Sequence, residues 1–216
     1  MNRFLFMLLA MAGAVGAQPA PTAGSYRPPL LFREDFKETP PATPITQDHI
    51  VNPKLVLSLY GPGKEGMKKS HHPKPSDDPY YIWDGTCTGT CAATLRDKDA
   101  FVDLTGFAKI RWRTKQSGFR RLHFVLKLAD GSWLVSEQSD GPSSDWRERE
   151  FILRDLRWRK LDIHKILEGA AVENPDLSRV DEIGWTDLMT GGGTPASSRV
   201  DWIEVYGRPI ERKPAP

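Results

Sequence analysis

The fold is decided by the stretch Phe107-Ala-Lys-Ile-Arg-Trp-Arg-Thr-Lys115 and by the segment Leu122-His-Phe-Val-Leu-Lys-Leu-Ala-Asp-Gly-Ser-Trp-Leu-Val135 that follows it. Both segments alternate, and a period of two is typical of a strand with one buried face. Asp130-Gly131, between two such runs, is a strong signal for a tight hairpin. The centre of the chain is therefore predicted to be antiparallel sheet with an apolar face and a basic, solvent-facing side.

Segments of the same kind lie on both sides of this centre. They include Leu30–Phe36, Lys54–Tyr60, Tyr80–Trp83, Ala92–Arg96, Trp146–Leu153, Trp158–Ile163, Val180–Leu188 and Arg199–Tyr206. About ten short strands joined by Gly, Pro and Asp turns, with almost no helical periodicity, predict an all-β sandwich. A helical turn is expected at 163–169 and a flexible loop at 190–195. Three prolines predict a surface loop over 68–79.

The N-terminal segment of the chain predicts export. Residues 1–17 resemble a secretory signal, with Arg3, an apolar run from Phe4 to Val15 and a cleavage site near Ala17. We expect a disordered leader over 18–28, one β-sandwich domain over 29–210 and a disordered tail over 211–216. The predicted location is secreted or periplasmic, with no transmembrane segment in the mature chain. The alternative is an uncleaved membrane anchor.

Charge and cysteine content narrow the functional classes. The formal net charge is +2, and removing Arg3 with the signal leaves +1, which does not indicate bulk attraction to nucleic acid. Cys87 and Cys91 are the only cysteines, and a close pair in an exported protein predicts a disulfide that shapes a loop. A redox-active pair usually has Cys-x-x-Cys spacing, and a zinc site would need more ligands nearby.

Four segments carry a family resemblance. Asp103-Leu-Thr-Gly-Phe-Ala-Lys-Ile-Arg-Trp-Arg113 resembles the D-L-S-G-Y-x-x-I-R-F-R segment of galactose-binding-like jelly-roll domains. Ser144–Phe151, Asp181–Trp185 and Val200–Val205 resemble three further strands of those domains, in the same order. Carbohydrate-binding modules and the complex I intermediate-associated protein share the pattern, which covers about residues 101–207. The resemblance implies an eight-to-ten-stranded jelly roll, a sugar site and often a structural Ca²⁺.

The solvent-facing side of the central strands is the first candidate site. Arg111, Arg113, His123 and Lys127 are predicted on neighbouring strands, facing the same way as Glu204. Aromatic rings bind the C–H face of a sugar, and guanidinium and carboxylate groups bind its hydroxyls. Trp83 and Trp133, near turns, are the better stacking candidates, whereas most other tryptophans are expected in the core. The alternative is that these charges are solvated and paired with Glu148, Glu150 and Asp162.

Two further groups of residues are candidates for chemistry. His71 or His72 with Asp78 can form an acid–base pair, although the loop can equally be a polar surface loop. Oxygen ligands for Ca²⁺ are available among Glu34, Asp35, Asp176, Asp181, Asp187 and Asp201, but no EF-hand loop is present. No cofactor other than a possible structural Ca²⁺ is expected.

The sequence favours a non-catalytic protein that binds polysaccharide or oligosaccharide through a basic and aromatic sheet face. The first alternative is a glycoside hydrolase or polysaccharide lyase that uses the His/Asp pair. The second is a periplasmic protein-interaction domain. The sequence leaves the identity of the sugar open.

Overall fold

The computed structural model describes residues 27–191 and 196–212. The predicted signal segment, nearly all of the leader, the last residues of the tail and most of the predicted loop at 190–195 lie outside these ranges. Within them, no helix has the length and hydropathy needed to cross a bilayer.

The described residues form fifteen strands and three short 3-10 helices. The strands are β1 Leu30–Glu34, β2 Leu55–Tyr60, β3 Lys68–Ser70, β4 Tyr81–Trp83, β5 Ala92–Asp97, β6 Ala100–Asp103, β7 Lys109–Gln116, β8 Leu122–Leu128, β9 Trp133–Asp140, β10 Arg147–Ile152, β11 Trp158–Asp162, β12 Leu167–Val172, β13 Val180–Thr186, β14 Ser198–Tyr206 and β15 Arg208–Glu211. The helices are Gln47–His49, Lys64–Gly66 and Leu153–Asp155. Strands that were not predicted, namely β3, β6, β12 and β15, raise the number above the predicted ten.

The strands form two antiparallel sheets. Sheet A has the order β10-β7-β14-β4-β3, and β1 also pairs with β14. Sheet B has the order β12-β11-β9-β8-β13-β5-β2, with β6 joined to β13 and β15 joined to β6. The predicted all-β sandwich is confirmed.

The core lies between the inward faces of the two sheets, as the alternation predicts. Ile110 and Trp112 of β7 are fully buried, and so is Phe124 of β8. The ring of Trp112 stacks on Phe124 with centroids 4.1 Å apart, which joins sheet A to sheet B. Phe151 of β10 contacts Phe124 edge to face at 5.0 Å. Burying side chains of this size contributes roughly 1.5–3 kcal/mol each, so this aromatic cluster is a main source of cohesion.

The prediction that β7 and β8 are neighbours is wrong. β7 pairs with β10 and β14, whereas β8 pairs with β9 and β13 in the other sheet. The loop between them carries the chain across the sandwich, so that the apolar faces of both strands meet in the core. An alternating pattern shows which face of a strand is buried but does not show which strand lies beside it.

The predicted helical turn at 163–169 is also wrong. The chain turns at Ile163–Ile166 and continues as strand β12. Ile163 and Ile166 are buried with Leu161, Val125 and Val135 in a small apolar cluster. Ile166 has a φ of 51°, in the left-handed region, which reverses the chain direction there. Burial of the two isoleucines in a tight turn outweighs the weak helical pattern.

The cysteine pair lies in the loop between β4 and β5. Cys87 and Cys91 are buried thiols whose sulfur atoms lie 2.6 Å apart. The hydrogen bond with Cys87 raises the pKa of the Cys91 thiol most, and burial raises it further. Joining the two thiols would require an oxidant that takes up two electrons, and the disulfide itself stays a prediction.

Candidate functional site

The structure divides the predicted sugar-binding residues between two surfaces. Arg111 and Arg113 of β7, Glu204 of β14 and Trp83 of β4 belong to sheet A, whereas His123, Lys127 and Trp133 belong to sheet B. The single basic face predicted from the sequence is therefore wrong, for the reason that separates β7 from β8. The two surfaces are therefore separate candidate sites.

One half of the outer face of sheet A is a network of paired charges. Arg33 Nη1 lies 2.7 Å from Glu204 Oε1, and Arg111 Nη1 lies 3.2 Å from Glu204 Oε2. Further pairs are Arg111–Glu148 and Lys109–Glu150. Burial is the largest single influence on the pKa of Glu204 and raises it, but the hydrogen bonds from Arg33 and Tyr206 and the positive charges of Arg33 and Arg111 together outweigh burial, so the pKa of this carboxyl is lowered. Here the charges bind one another, as the alternative interpretation predicts, and exposed pairs of this kind contribute about 0.2–1 kcal/mol each.

Trp202 projects from the same face but is covered. The Arg33 guanidinium lies 4.3 Å from the centre of the indole ring, and Arg111 lies 5.7 Å from it. Only 6% of Trp202 is exposed. A sugar ring therefore has no free indole face on which to stack at this point.

A cleft opens where β14 changes partner. One edge of β14 pairs with β1 over Ile203–Tyr206 and with β4 over Arg199–Val200. Between these stretches β14 has an irregular register on its β7 side, between Val200 and Trp202. Such irregularities redirect side chains and often lie beside binding sites. We call the resulting space, of about 410 Å³, the bulge cleft. Its lining is Arg33, Asp35, Phe36, Glu38, Val51, Pro79, Tyr80, Arg113, Asp201 and Trp202.

Two guanidinium–carboxylate pairs lie in the wall of the bulge cleft. Arg113 Nη1 is 2.7 Å from Asp201 Oδ2, and Arg33 Nη2 is 2.6 Å from Asp35 Oδ1. Burial raises the pKa of Asp201, although the hydrogen bond from Arg113 opposes the rise. The hydrogen bond to Asp35 contributes most to the raised pKa of Arg33. The wall therefore presents strong donors beside strong acceptors.

The backbone after β1 holds the rim of the cleft in place. Phe36 has a φ of 55°, a conformation rarely adopted by residues other than glycine. Its amide donates to Glu34 Oε1 at 2.8 Å, and the same carboxylate accepts from the amides of Val51 and Asn52. Glu34 is fully buried, so these hydrogen bonds replace its hydration. This anchor sets the turn that places Asp35 and Phe36 at the cleft.

The loop from His71 to Pro79 lies beside the bulge cleft. The loop predicted over 68–79 is wrong for Lys68–Ser70, which forms β3 and pairs with β4, because the three prolines all lie beyond this segment. Pro79 and Tyr80 line the cleft, and the ring of His71 stacks on Tyr80 with centroids 4.1 Å apart. His71 therefore lies behind Tyr80, in contact with a lining residue. His71 Nδ1 also lies 3.0 Å from the backbone carbonyl oxygen of Asp78.

The predicted contact between His72 and Asp78 is present. His72 Nδ1 lies 3.1 Å from Asp78 Oδ2, and the His72 amide donates to the same oxygen at 2.8 Å. The hydroxyl of Tyr81 is 3.0 Å from His72 Nδ1. The His72 side chain is 60% exposed, so a substrate can reach its ring. The geometry suits proton transfer, and the catalytic role stays a prediction.

The predicted residues of sheet B contact their own neighbours. Lys127 Nζ lies 3.0 Å from Glu182 Oε1 and 5.6 Å from the centre of the Trp133 ring. Trp133 packs edge to face on Tyr60 at 4.9 Å. His123 Nδ1 lies 2.7 Å from the carbonyl oxygen of Ser136. These contacts form a second polar and aromatic group, separate from the bulge cleft.

The candidate Ca²⁺ ligands are spread over the molecule and have other partners. Asp35 and Asp201 pair with arginines in the bulge cleft, and Glu34 accepts three amides. Asp181 contacts Lys127 and Arg212, Asp187 contacts Arg120, and Asp176 accepts the amide of Ser178. Among the residues described, no three His, Cys, Asp or Glu side chains are grouped to hold a metal ion. The expected Ca²⁺ thus has no assigned site.

The sequence did not predict the cleft, although it contained most of its parts. The sequence predicts Arg113 as a sugar-binding residue, and Asp35 and Asp201 only as oxygen ligands for Ca²⁺. Arg33 and Tyr80 were missed because nothing in the local pattern shows that β1 and β4 share one edge of β14. The adjacent apolar residues Trp202 and Ile203 break the alternation of this segment and were the available signal of an irregular strand.

Among known proteins, this chain is similar to several whose structures have been solved. No family model and no curated protein sequence matches the chain. A family 11 carbohydrate-binding module of a Clostridium thermocellum cellulosomal cellulase has 16% identity and a TM-score of 0.44, over 84% of this chain and 95% of that one. The Clostridium thermocellum family 11 module in complex with a β-1,3-1,4-mixed-linked tetrasaccharide has 18% identity and a TM-score of 0.44, over 79% and 98%. A family 29 module variant complexed with mannohexaose has 12% identity and a TM-score of 0.43, over 82% and 92%.

Proposed function

We propose that this chain is an exported carbohydrate-binding protein whose bulge cleft holds a sugar ring. The observation that carries the proposal is the pair of guanidinium–carboxylate contacts, Arg113–Asp201 and Arg33–Asp35, in one cleft of about 410 Å³. Clefts that bind small ligands have volumes of roughly 300–1,000 Å³.

Sugar hydroxyls match the chemistry of this wall. A hydroxyl group both donates and accepts, a carboxylate only accepts, and a guanidinium only donates. A carboxylate beside a guanidinium can therefore bind two neighbouring hydroxyls, and charge-assisted hydrogen bonds of this type are the stronger ones. Val51, which is 49% exposed, and the partly exposed Tyr80 supply apolar surface at the cleft for the C–H groups of the ring. The ion pairs keep these groups in place before the ligand arrives.

Export is the second part of the proposal, and it rests on the predicted signal at 1–17. Full-length protein expressed in a bacterium with a Sec pathway is expected in the periplasm or medium. Its first residue should lie at or close to Gln18, as determined by N-terminal sequencing. A full-length product retained in the membrane fraction would contradict cleavage and support the anchor alternative.

Affinity electrophoresis tests the binding part. Mature protein should be retarded in a gel that contains a neutral polysaccharide it binds, and isothermal titration with oligosaccharides then gives the affinity. Arg113→Gln is expected to weaken binding of a neutral sugar about tenfold or more, because it leaves Asp201 without its donor. Arg159→Gln is the matched control, since Arg159 is 37% exposed against 34% for Arg113 and pairs with Glu137 on sheet B. Equal affinity of both variants and wild type would refute the cleft as the site.

A second function is favoured by one specific contact, that between His72 and Asp78. With an accessible ring nitrogen and a carboxylate at 3.1 Å, His72 can act as an acid–base group in glycoside hydrolysis or polysaccharide elimination. Product release by reducing-sugar assay, abolished in His72→Gln with an unchanged melting temperature, would establish the enzyme. Binding without product release in the wild type would leave the binding protein as the function.

A further inference from the structure

We infer that a second part of sheet A, beside the bulge cleft, binds carboxylate groups of an acidic polysaccharide. The inference rests on the proposed function and specifies its ligand class. Its site is a row of four side chains, Lys68, Trp83, Arg199 and Lys115, on four adjacent strands of sheet A. We call these residues the cation row.

The strand register places the cation row on one line across the sheet. Lys68 of β3 is opposite Trp83 of β4, Trp83 is opposite Arg199 of β14, and Arg199 is opposite Lys115 of β7. Directly opposite residues point to the same side of a sheet. Their neighbours Lys69, Ile82, Val200 and Thr114 are buried, so the row lies on the outer face. With strands about 4.8 Å apart, the row is roughly 14 Å long.

The cations in the row differ from those elsewhere on the outer face of sheet A, which are paired with carboxylates. Within residues 27–191 and 196–212, Lys68 and Arg199 have no ion pair, and Lys115 contacts only Asp145, which is 82% exposed. Every Asp and Glu side chain of the chain lies within those ranges, because residues 1–26, 192–195 and 213–216 contain neither. No acidic side chain of this protein other than Asp145 therefore lies within ion-pair distance of the row.

This arrangement is costly for the free protein. Like charges directly opposite on neighbouring strands are destabilising, as for Arg199 and Lys115. The charged half of the same face instead places Arg111 opposite Glu204 on β14 and opposite Glu150 on β10. The same strands thus alternate charge at one end and concentrate positive charge at the other. An anionic ligand would remove the repulsion at the second end.

The tryptophan in the row indicates a sugar as the carrier of the negative charge. Lys68 Nζ lies 5.5 Å from the centre of the Trp83 ring, and the Arg199 guanidinium carbon lies 6.0 Å from it. Cations at these distances flank a half-buried aromatic ring. A pyranose that contacts the indole would place its ring carboxylate within reach of either cation.

The row continues into the cleft along the same strands. Arg113 lies two residues before Lys115 on β7 and lines the bulge cleft. Its guanidinium carbon lies 5.5 Å from the ring centre of Trp146. Tyr81, two residues from Trp83 on β4, has its ring 5.3 Å from that of Trp146. A sugar chain long enough to reach from Arg113 to Lys115 would therefore contact both the cleft and the row.

The test compares polygalacturonate with the same polymer after carboxyl reduction, by isothermal titration at low salt and at 0.3 M NaCl. Wild type should bind polygalacturonate about tenfold more tightly at low salt, and added salt should remove most of the difference. Lys115→Gln/Arg199→Gln should bind both polymers with equal affinity. Lys109→Gln is the control, because Lys109 lies on the same strand with the same orientation, is 30% exposed against 33%, and is paired with Glu150.

Three results would overturn the inference. The first is that wild type binds polygalacturonate and the reduced polymer with equal affinity. The second is that Lys109→Gln weakens binding of polygalacturonate as much as Lys115→Gln/Arg199→Gln does, and the third is that duplex DNA of matched charge competes for the protein as well as polygalacturonate does. If the reduced polymer binds and Arg113→Gln weakens it while charge has no effect, the proposed function stands and only the acidic ligand is refuted. If neither polymer and no other glycan binds, the proposed function fails as well.

Discussion

Arg120 Nη1 lies 2.6 Å from Asp187 Oδ2, and both side chains are buried. The pair joins the loop that crosses from sheet A to sheet B to the residue that follows β13. Arg120 Nη2 also donates to the carbonyl oxygen of Thr190 at 2.7 Å. The crossing that separates β7 from β8 is therefore held by an ion pair with side-chain exposures of 4% and 1%.

Arg120→Met should strongly destabilise the protein, by about 3–5 kcal/mol, because it leaves the Asp187 carboxylate buried without its cation. Urea unfolding followed by tryptophan fluorescence measures the change in the free energy of unfolding. Arg157→Met serves as the control, since Arg157 is 75% exposed and solvent screens its pair with Glu137, so that its loss should change the free energy of unfolding little. A loss below about 1 kcal/mol for Arg120→Met would show that the crossing does not depend on this pair.

Asp84 should make stability depend on pH. Burial is the largest cause of its raised pKa, and the neighbouring Asp187 adds to the rise. An acid with a raised folded-state pKa keeps its proton in the folded protein after the unfolded chain has lost it. Its stabilising contribution is therefore complete below the unfolded pKa, near 3.8, and is lost as pH rises towards the folded pKa.

Asp84→Asn should remove that dependence. The asparagine oxygen can still accept the amide of Ser198, as Asp84 Oδ1 does at 2.9 Å, and its amide can donate to Asp187. The difference in unfolding free energy between Asp84→Asn and wild type should then grow in favour of the variant as pH rises from 4. Asp162→Asn, at a surface position, provides the control. A difference that does not change with pH would contradict the raised pKa.

The sequence predicted the orientation of side chains better than their neighbours. Ile110 and Trp112 face the core and Arg111 and Arg113 face solvent, as the period of two requires. The partners of Arg113 depend on strand order, which is set by a crossing loop and by distant contacts such as Arg120–Asp187. Local pattern contains no information on contacts between residues this far apart, so the bulge cleft and the cation row became visible only with the register.

The Cys87–Cys91 disulfide is expected in protein recovered from an oxidising compartment. Denaturation followed by alkylation and intact-mass analysis should show no modified thiols, whereas prior reduction should give two. Cys87→Ala/Cys91→Ala should lose about 2 kcal/mol relative to oxidised wild type, because the loop that the bond closes is small. Two alkylated thiols without prior reduction would show that the pair exists as buried thiols.

Lys69 should also make the stability of the fold depend on pH, with a sign opposite to that of Asp84. This lysine is buried beneath Tyr80, with its Nζ 4.3 Å from the ring centre and 3.3 Å from the carbonyl oxygen of Thr39. Burial lowers its pKa from 10.5 to about 8, although Glu38 opposes the shift. Between these two pH values the unfolded chain holds a proton that the folded protein has released, so wild-type stability gains from rising pH.

Lys69→Met has no group to titrate and should lack this gain. Its stability relative to wild type should therefore fall as pH rises from 8 to 10.5, and urea unfolding at several pH values in that window measures the trend. Lys68→Met is the matched control, because Lys68 is the adjacent residue on the outer face of β3 and is only partly buried. A constant difference between Lys69→Met and wild type would mean that Lys69 keeps its ordinary pKa in the folded protein. It would then keep its charge beneath Tyr80 well above pH 8, so that a cation would lie behind the bulge cleft across that range too.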